Sequence, residues 1–88
     1  MRVAFRKSFA RDLKNIRSEP VRHRVRSVIE EVEAAATLSD IRNLAKLRGR
    51  GDFYHIQIGR YRIGVAVEGD EVEFVRCLDR REVYRYFP

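Results

Sequence analysis

The stretch Phe53-Tyr54-His55-Ile56-Gln57-Ile58-Gly59-Arg60-Tyr61-Arg62-Ile63-Gly64-Val65-Ala66-Val67 decides the fold of this chain. Apolar side chains recur at every second position on both sides of Gly59-Arg60, the period of a strand with one buried face. The pattern predicts a strand over Phe53–Ile58, a turn at Gly59-Arg60 and a second strand over Tyr61–Val67. Gly69-Asp70 then supplies a hairpin turn, and Glu71–Leu78 a third strand. Side-chain alternation puts Tyr54, Ile56 and Ile58 on one face, and His55 and Gln57 on the other. Arg62 is opposite in parity to Tyr61, Ile63 and Val65, while Val72, Phe74 and Arg76 are expected to share a face.

Toward the N-terminus the period changes. Val3 and Phe5 alternate with Arg2, Ala4 and Arg6, which suggests a short first strand. Phe9, Leu13 and Ile16 follow at spacings of four and three, the mark of an amphipathic helix, with Ser8 as its expected N-cap. Ser18-Glu19-Pro20 interrupts the chain, and Pro20 suits the first turn of a second helix carrying Val21, Val25, Val28, Ile29 and Val32. Its outer face has Arg22, Arg24 and Arg26 early and Glu30, Glu31 and Glu33 late, the reverse of what a helix dipole favours. Thr37–Ala45 reads as a connector anchored by Leu38, Ile41 and Leu44, and Asp79–Pro88 as a closing short helix or turn. The expected class is α+β: an N-terminal strand, a two-helix hairpin packed on a curved antiparallel sheet, and a short C-terminal helix or turn, all in one domain over residues 1–88. The sheet face away from the helices is left for function.

The charge balance bounds the partners. Nineteen Lys and Arg oppose thirteen Asp and Glu, a net charge of +6, and three lysines (Lys7, Lys14 and Lys46) leave sixteen arginines. Guanidinium forks grip phosphate or carboxylate oxygens in pairs, so an anionic partner is expected, although several arginines will only solvate helix faces. Cys77 is the one cysteine, which excludes a disulfide framework, and its apolar neighbours read as packing. Neither a signal peptide nor a membrane-length apolar run is present, so the expectation is a cytoplasmic protein with no membrane role.

The polar residues beyond the helices are His55, Gln57, Tyr61, Arg62, Arg76, Arg80, Arg81 and Tyr84. Arginines converging beside a tyrosine and a histidine suit cleavage of an RNA phosphodiester, which needs a base, charge stabilisation and an acid. A phenol serves as base only where neighbouring positive charge favours its phenolate. A strand histidine is by default structural, yet its ordinary pKa of about 6.5 makes His55 the best-tuned acid or base in the set. His23, between Arg22 and Arg24, reads as part of a solvated face. No cofactor is expected, and no Asp/Glu/His cluster has the spacing to hold a metal.

Lys46-Leu47-Arg48-Gly49, then Phe53 to Ile63 with its Gly59-Arg60-Tyr61-Arg62-Ile63 segment, then Arg80-Arg81-Glu82-Val83-Tyr84, together resemble the RelE/ParE toxin superfamily. Ala10-Arg11-Asp12-Leu13-Lys14-Asn15-Ile16 is similar to its first helix, and the resemblance covers nearly the whole chain. It implies a microbial-ribonuclease-like fold and a toxin neutralised by a cognate antitoxin, with a toxin–antitoxin heterotetramer among the assemblies open to it. RelE-branch members enter the ribosomal A site and cleave mRNA without a metal. ParE-branch members instead inhibit DNA gyrase and act without a nuclease site.

On the RelE reading, Arg62 is similar to the arginine at the scissile phosphate, Arg80 to the one that stabilises charge, and Tyr84 to the general base. Arg81 takes the place of Arg80 if the register slips by one. Lys46, Arg48, Gln57, Arg60 and Arg81 are the expected RNA contacts, and ribosome and mRNA the partners. The departure is at His55 and Gln57, where well-studied RelE members carry two lysines. His55 is expected to replace a lysine as a charge stabiliser or acid/base group, and Gln57 to contribute contacts alone.

Overall fold

The computed structural model describes residues 1–47, 49 and 51–88. Strand β1 (Arg2–Phe5) leads into helices α1 (Lys7–Asn15) and α2 (Glu19–Ala34). A single 3-10 turn (Leu38–Asp40) precedes β2 (Leu44–Lys46), β3 (Phe53–Ile58), β4 (Tyr61–Glu68), β5 (Glu71–Asp79) and the short helix α3 (Val83–Tyr86). The sheet order is β1-β5-β4-β3-β2. β1 runs parallel to β5, and every other pairing is antiparallel.

The α+β class stands, with two refinements to the sheet. The first strand makes it mixed, because the α1–α2 hairpin is long enough to carry the chain back across one face and let β1 lie beside β5. The segment expected to be all connector ends as edge strand β2, with Ala45 opposite His55 and Lys46 opposite Tyr54. Ile41 is buried there as expected, and Leu44 packs against the core.

Both helices cover one face of the sheet. Phe9, Ile16, Val25 and Val32 interlock with Ile56, Ile58, Ile63, Val65, Val72 and Phe74. The expected cap at Ser8 is wrong. Arg6 occupies that position, while Ser8 lies inside α1 and its hydroxyl donates to the Val75 carbonyl at 2.6 Å. Ser18 does cap α2, accepting from the Val21 N–H at 3.3 Å. The unfavourable acidic end of α2 is offset by its neighbours: the Met1 nitrogen donates to the Val32 and Glu33 carbonyls, and Arg42 pairs with Glu31 at 3.3 Å.

The second sheet face is not wholly open. A register shift in β5 leaves Val75 unmatched, so Val65 faces Phe74 while Gly64 faces Arg76. This bulge carries Arg76 to the face opposite Phe74, correcting the expectation that the two share one. Val75 stays on that second face and forms a smaller core there with Val83 and Phe87, flanked by Leu47, Phe53, Ala66 and Leu78. No helix among the described residues is long and apolar enough to cross a membrane.

Candidate active site

Three residues on neighbouring strands stand in one row across the second face: Arg76 of β5 faces Gly64 of β4, and Gly64 faces His55 of β3. Helix α3 lies over that row. Val83 and Phe87, four apart, turn inward and are buried, so the residues between them splay to the two sides. Tyr86 sits over the Arg76 guanidinium, 5.7 Å from its carbon to the ring centroid. Phe87 covers Gly64, where a Cβ would stand 2.7 Å from the ring, and meets Phe53 edge-on at 5.6 Å. Tyr84 falls on the opposite side, its ring centroid 5.9 Å from that of His55.

Tyr84 and His55 open onto a cleft of about 440 Å³, completed by Lys46, Leu47, Phe87 and Pro88. Tyr84 is two-thirds exposed, while His55 is half-buried and its Nδ1 has no hydrogen-bond partner among the described residues. Burial, and then the positive charge of Arg62, hold the His55 imidazole below its ordinary pKa. Charging it would leave a buried N–H⁺ unpaired, so the neutral form is favoured. At neutral pH this ring is a proton acceptor rather than a fixed cation.

The remaining predicted residues gather at the β3–β4 end of the sheet, one same-face row along from His55. Gln57 pairs in register with Arg62, a step of roughly 6.5 Å along the strand. Arg62 bends back on the turn, donating to the Gly59 and Tyr61 carbonyls at 2.8 and 2.9 Å. Gly59 has φ 63°, and the Arg24 guanidinium from α2 lies 3.3 Å from where a Cβ would sit, so glycine serves both the turn and the approach. The Arg80 N–H donates to the Arg60 carbonyl at 2.7 Å, and the Arg80 side chain is exposed with no ion pair among the described residues.

Arg60 and Arg81, expected to contact RNA, both reach Asp79, at 2.9 and 3.3 Å. Lys46 lines the cleft, but its ammonium lies 5.9 Å from the Tyr54 ring centroid and 4.0 Å from Asp52. Arg48 lies outside the described residues. The structure thus joins His55 to Tyr84, places Arg62 within electrostatic reach, and sets Arg80, Arg60 and Arg81 at the neighbouring turn. Among the described residues no three His, Cys, Asp or Glu side chains are grouped to hold a metal ion.

Over residues 3–84 the sequence matches the family described as the ParE toxin of type II toxin-antitoxin system, parDE. This chain belongs to that toxin family. It is also similar, at 39% identity and over the full length of both chains, to Toxin RelE3 of Methanocaldococcus jannaschii. Among solved structures it resembles the RelB–RelE antitoxin–toxin complex from Methanococcus jannaschii, with TM-score 0.81 and 37% identity over 97% of this chain and 99% of that one. The archaeal RelE–RelB complex from Pyrococcus horikoshii shares the fold at TM-score 0.73, 20% identical and covering 90% and 93% of the two chains. So does the isolated E. coli RelE toxin, at TM-score 0.66 and 22% identity over 96% and 90%.

One polar group of this toxin escaped the sequence reading. Asp12 is buried on α1, accepts from Arg76 Nε and Nη2 at 2.7 and 3.1 Å, and also accepts from the Cys77 N–H at 2.9 Å. A signal for it existed. Asp12 falls between Phe9 and Ile16 at helical spacing, on the stripe that must be buried, and a carboxylate there needs a cation. Cys77 itself is a packed thiol, its pKa pushed up to about 12 by burial and by Asp12.

Proposed function

We propose that this toxin is an endoribonuclease that cuts mRNA in the ribosomal A site and so halts translation. The observation that carries this reading is the meeting of Tyr84 with His55 at one cleft, the imidazole held below its ordinary pKa by burial and then by the charge of Arg62. His55 takes the proton from a ribose 2′-hydroxyl as its oxygen bonds to the adjacent phosphorus. Arg62, with Arg80 from the neighbouring turn, balances the charge that builds on the phosphorane oxygens. The bond from phosphorus to the 5′-oxygen then breaks, and the Tyr84 hydroxyl donates the proton that this oxygen needs. The products are a 2′,3′-cyclic phosphate and a 5′-hydroxyl end.

The family resemblance gives the base to Tyr84. The neutral state of His55 favours His55 in that role and leaves the phenol as donor. No step draws on a metal. Lys46 at the cleft, with Gln57, Arg60 and Arg81 beyond it, supplies phosphate contacts for mRNA and ribosomal RNA. A cognate antitoxin is the protein partner, since the solved relatives include RelB–RelE complexes. An acidic amphipathic segment that orders on binding would suit the +6 surface.

Mapping of mRNA 5′ ends by primer extension in a translating extract tests the reading. Wild-type protein should produce new ends within codons, dependent on translation and absent with His55→Gln, Arg62→Ala or Tyr84→Phe. Intact mRNA with wild-type protein would reject it. The second reading, inhibition of DNA gyrase without catalysis, is favoured by the loss of both β3 lysines to His55 and Gln57. It predicts inhibited supercoiling that is indifferent to Tyr84→Phe.

A further inference from the structure

Tyr84 occupies a four-residue helix at the end of the chain, too short to hold its own orientation by backbone hydrogen bonds. Val83 and Phe87 anchor it along one line, which fixes where it sits but resists rotation about that line poorly. What opposes rotation is on the far side. Tyr86 lies over Arg76, and Arg76 is fixed by two hydrogen bonds to Asp12, itself buried and held by the Cys77 N–H. Turning α3 so as to lift Tyr84 from His55 would move Tyr86 across Arg76.

We infer that Asp12 and Arg76 are positioning residues for the reaction, holding Tyr84 against His55 through the Tyr86 ring. The inference rests on the nuclease reading above, and its geometric half stands apart from it. Arg76 is drawn into the second face by the bulge at Val75 and is neutralised there by Asp12, so it is poorly placed to bind phosphate. Its guanidinium plane instead gives an aromatic ring a flat, charged seat. Two such contacts meet at Tyr86, because the Arg85 guanidinium carbon also lies 5.8 Å from its centroid. Arg85 shares the helix with Tyr86 and moves with it. Arg76 alone of the two ties the helix to the sheet.

The test uses the full chain and two independent readouts. The chain has two histidines, so His23→Gln leaves His55 as the one imidazole signal in a proton NMR spectrum. In that background, Tyr86→Leu and Arg76→Met should move the His55 ring-proton shifts toward those of Tyr84→Ala, while Tyr86→Phe should keep them at the parent values. In the cleavage assay kcat should fall by about 2- to 5-fold for Tyr86→Leu, the population shift that loss of one exposed cation–π contact can produce. KM should change little, and Tyr86→Phe should restore the rate.

Unmoved His55 signals in folded Tyr86→Leu would overturn the inference, as would moved signals with an undiminished kcat in an active enzyme. Tyr86 is half-exposed, so its variant decides the matter even where Arg76→Met fails to fold. If the wild-type protein cuts no mRNA, the nuclease reading falls, and the NMR arm still decides whether Arg76 sets the Tyr84–His55 contact.

Discussion

Phe87 lies against Gly64 so closely that a methyl group at position 64 would stand 2.7 Å from its ring. A side chain there cannot be accommodated without lifting Phe87, and Phe87 is the residue that seats α3 on the sheet. Gly64→Ala should therefore cost about 1–3 kcal/mol as an overpacked core site. Because Tyr84 rides on the same helix, cleavage should fall further than stability accounts for. Thermal unfolding and the primer-extension assay on the same preparation check both parts.

The buried ion pair makes a contrasting prediction. Asp12→Leu leaves the part-buried Arg76 guanidinium without its partner and strands the buried Cys77 N–H, and should destabilise by about 1–3 kcal/mol. Adding Arg76→Met to Asp12→Leu should recover part of that loss, because the guanidinium is then gone and the Cys77 N–H alone is left without its acceptor. Urea unfolding of the two single variants and the double variant closes the cycle. Equal losses for Asp12→Leu and the double variant would count against the account.

The pH dependence has a definite sign. His55 is held below its ordinary pKa by burial and then by Arg62, so the unfolded chain takes up a proton that the folded one refuses. Stability from this group is complete above the unfolded value of about 6.5 and is lost as pH falls through the window toward the lower folded value. Glu31, lowered by hydrogen bonds from Arg42, and Asp79, lowered by Arg81 and Arg60, act the same way in the carboxylate range, further into acid. Denaturation midpoints from about pH 5 to about pH 8 should slope downward toward acid for wild type and flatten in His55→Gln. The wild-type cleavage rate should carry a matching acid limb, since protonated His55 accepts no proton.

Asp79 restrains two arginines at the turns beyond the proposed site. Arg60 and Arg81 both reach its carboxylate, and these exposed pairs contribute little to folding. Asp79→Asn should release both for phosphate. Its affinity for a short RNA should rise, with a steeper decline as salt is added, because more counterions are displaced on binding. Filter binding across a salt series measures the slope. An unchanged slope would show that Asp79 does not compete with RNA for these side chains.

The local pattern of this chain determined a great deal by itself. Alternation through Phe53–Val67 and Val72–Phe74 fixes which faces are apolar, since side chains alternate across any strand. Pro20 and Ser18 mark the start of α2, and the stripe from Val21 to Val32 marks its buried side. His55, Arg62 and Tyr84 stand out as residue types with acid, base or anion-binding chemistry wherever they fall.

Tertiary structure alone decided which of them meet. β1 could join any open edge; the α1–α2 hairpin carries the chain across to the far edge at β2, and the meander back through β3 and β4 brings β5 beside β1. The bulge at Val75 reversed the face of Arg76, an offset invisible to a periodicity that assumes unbroken pairing. The row Arg76–Gly64–His55 exists through the register between strands, set by backbone hydrogen bonds and packing among segments distant in sequence. Tyr84 reaches His55 because Phe87 finds the one gap in that row that lacks a side chain. Periodicity records which residues seek burial, and contacts between remote segments choose the partners they are buried against.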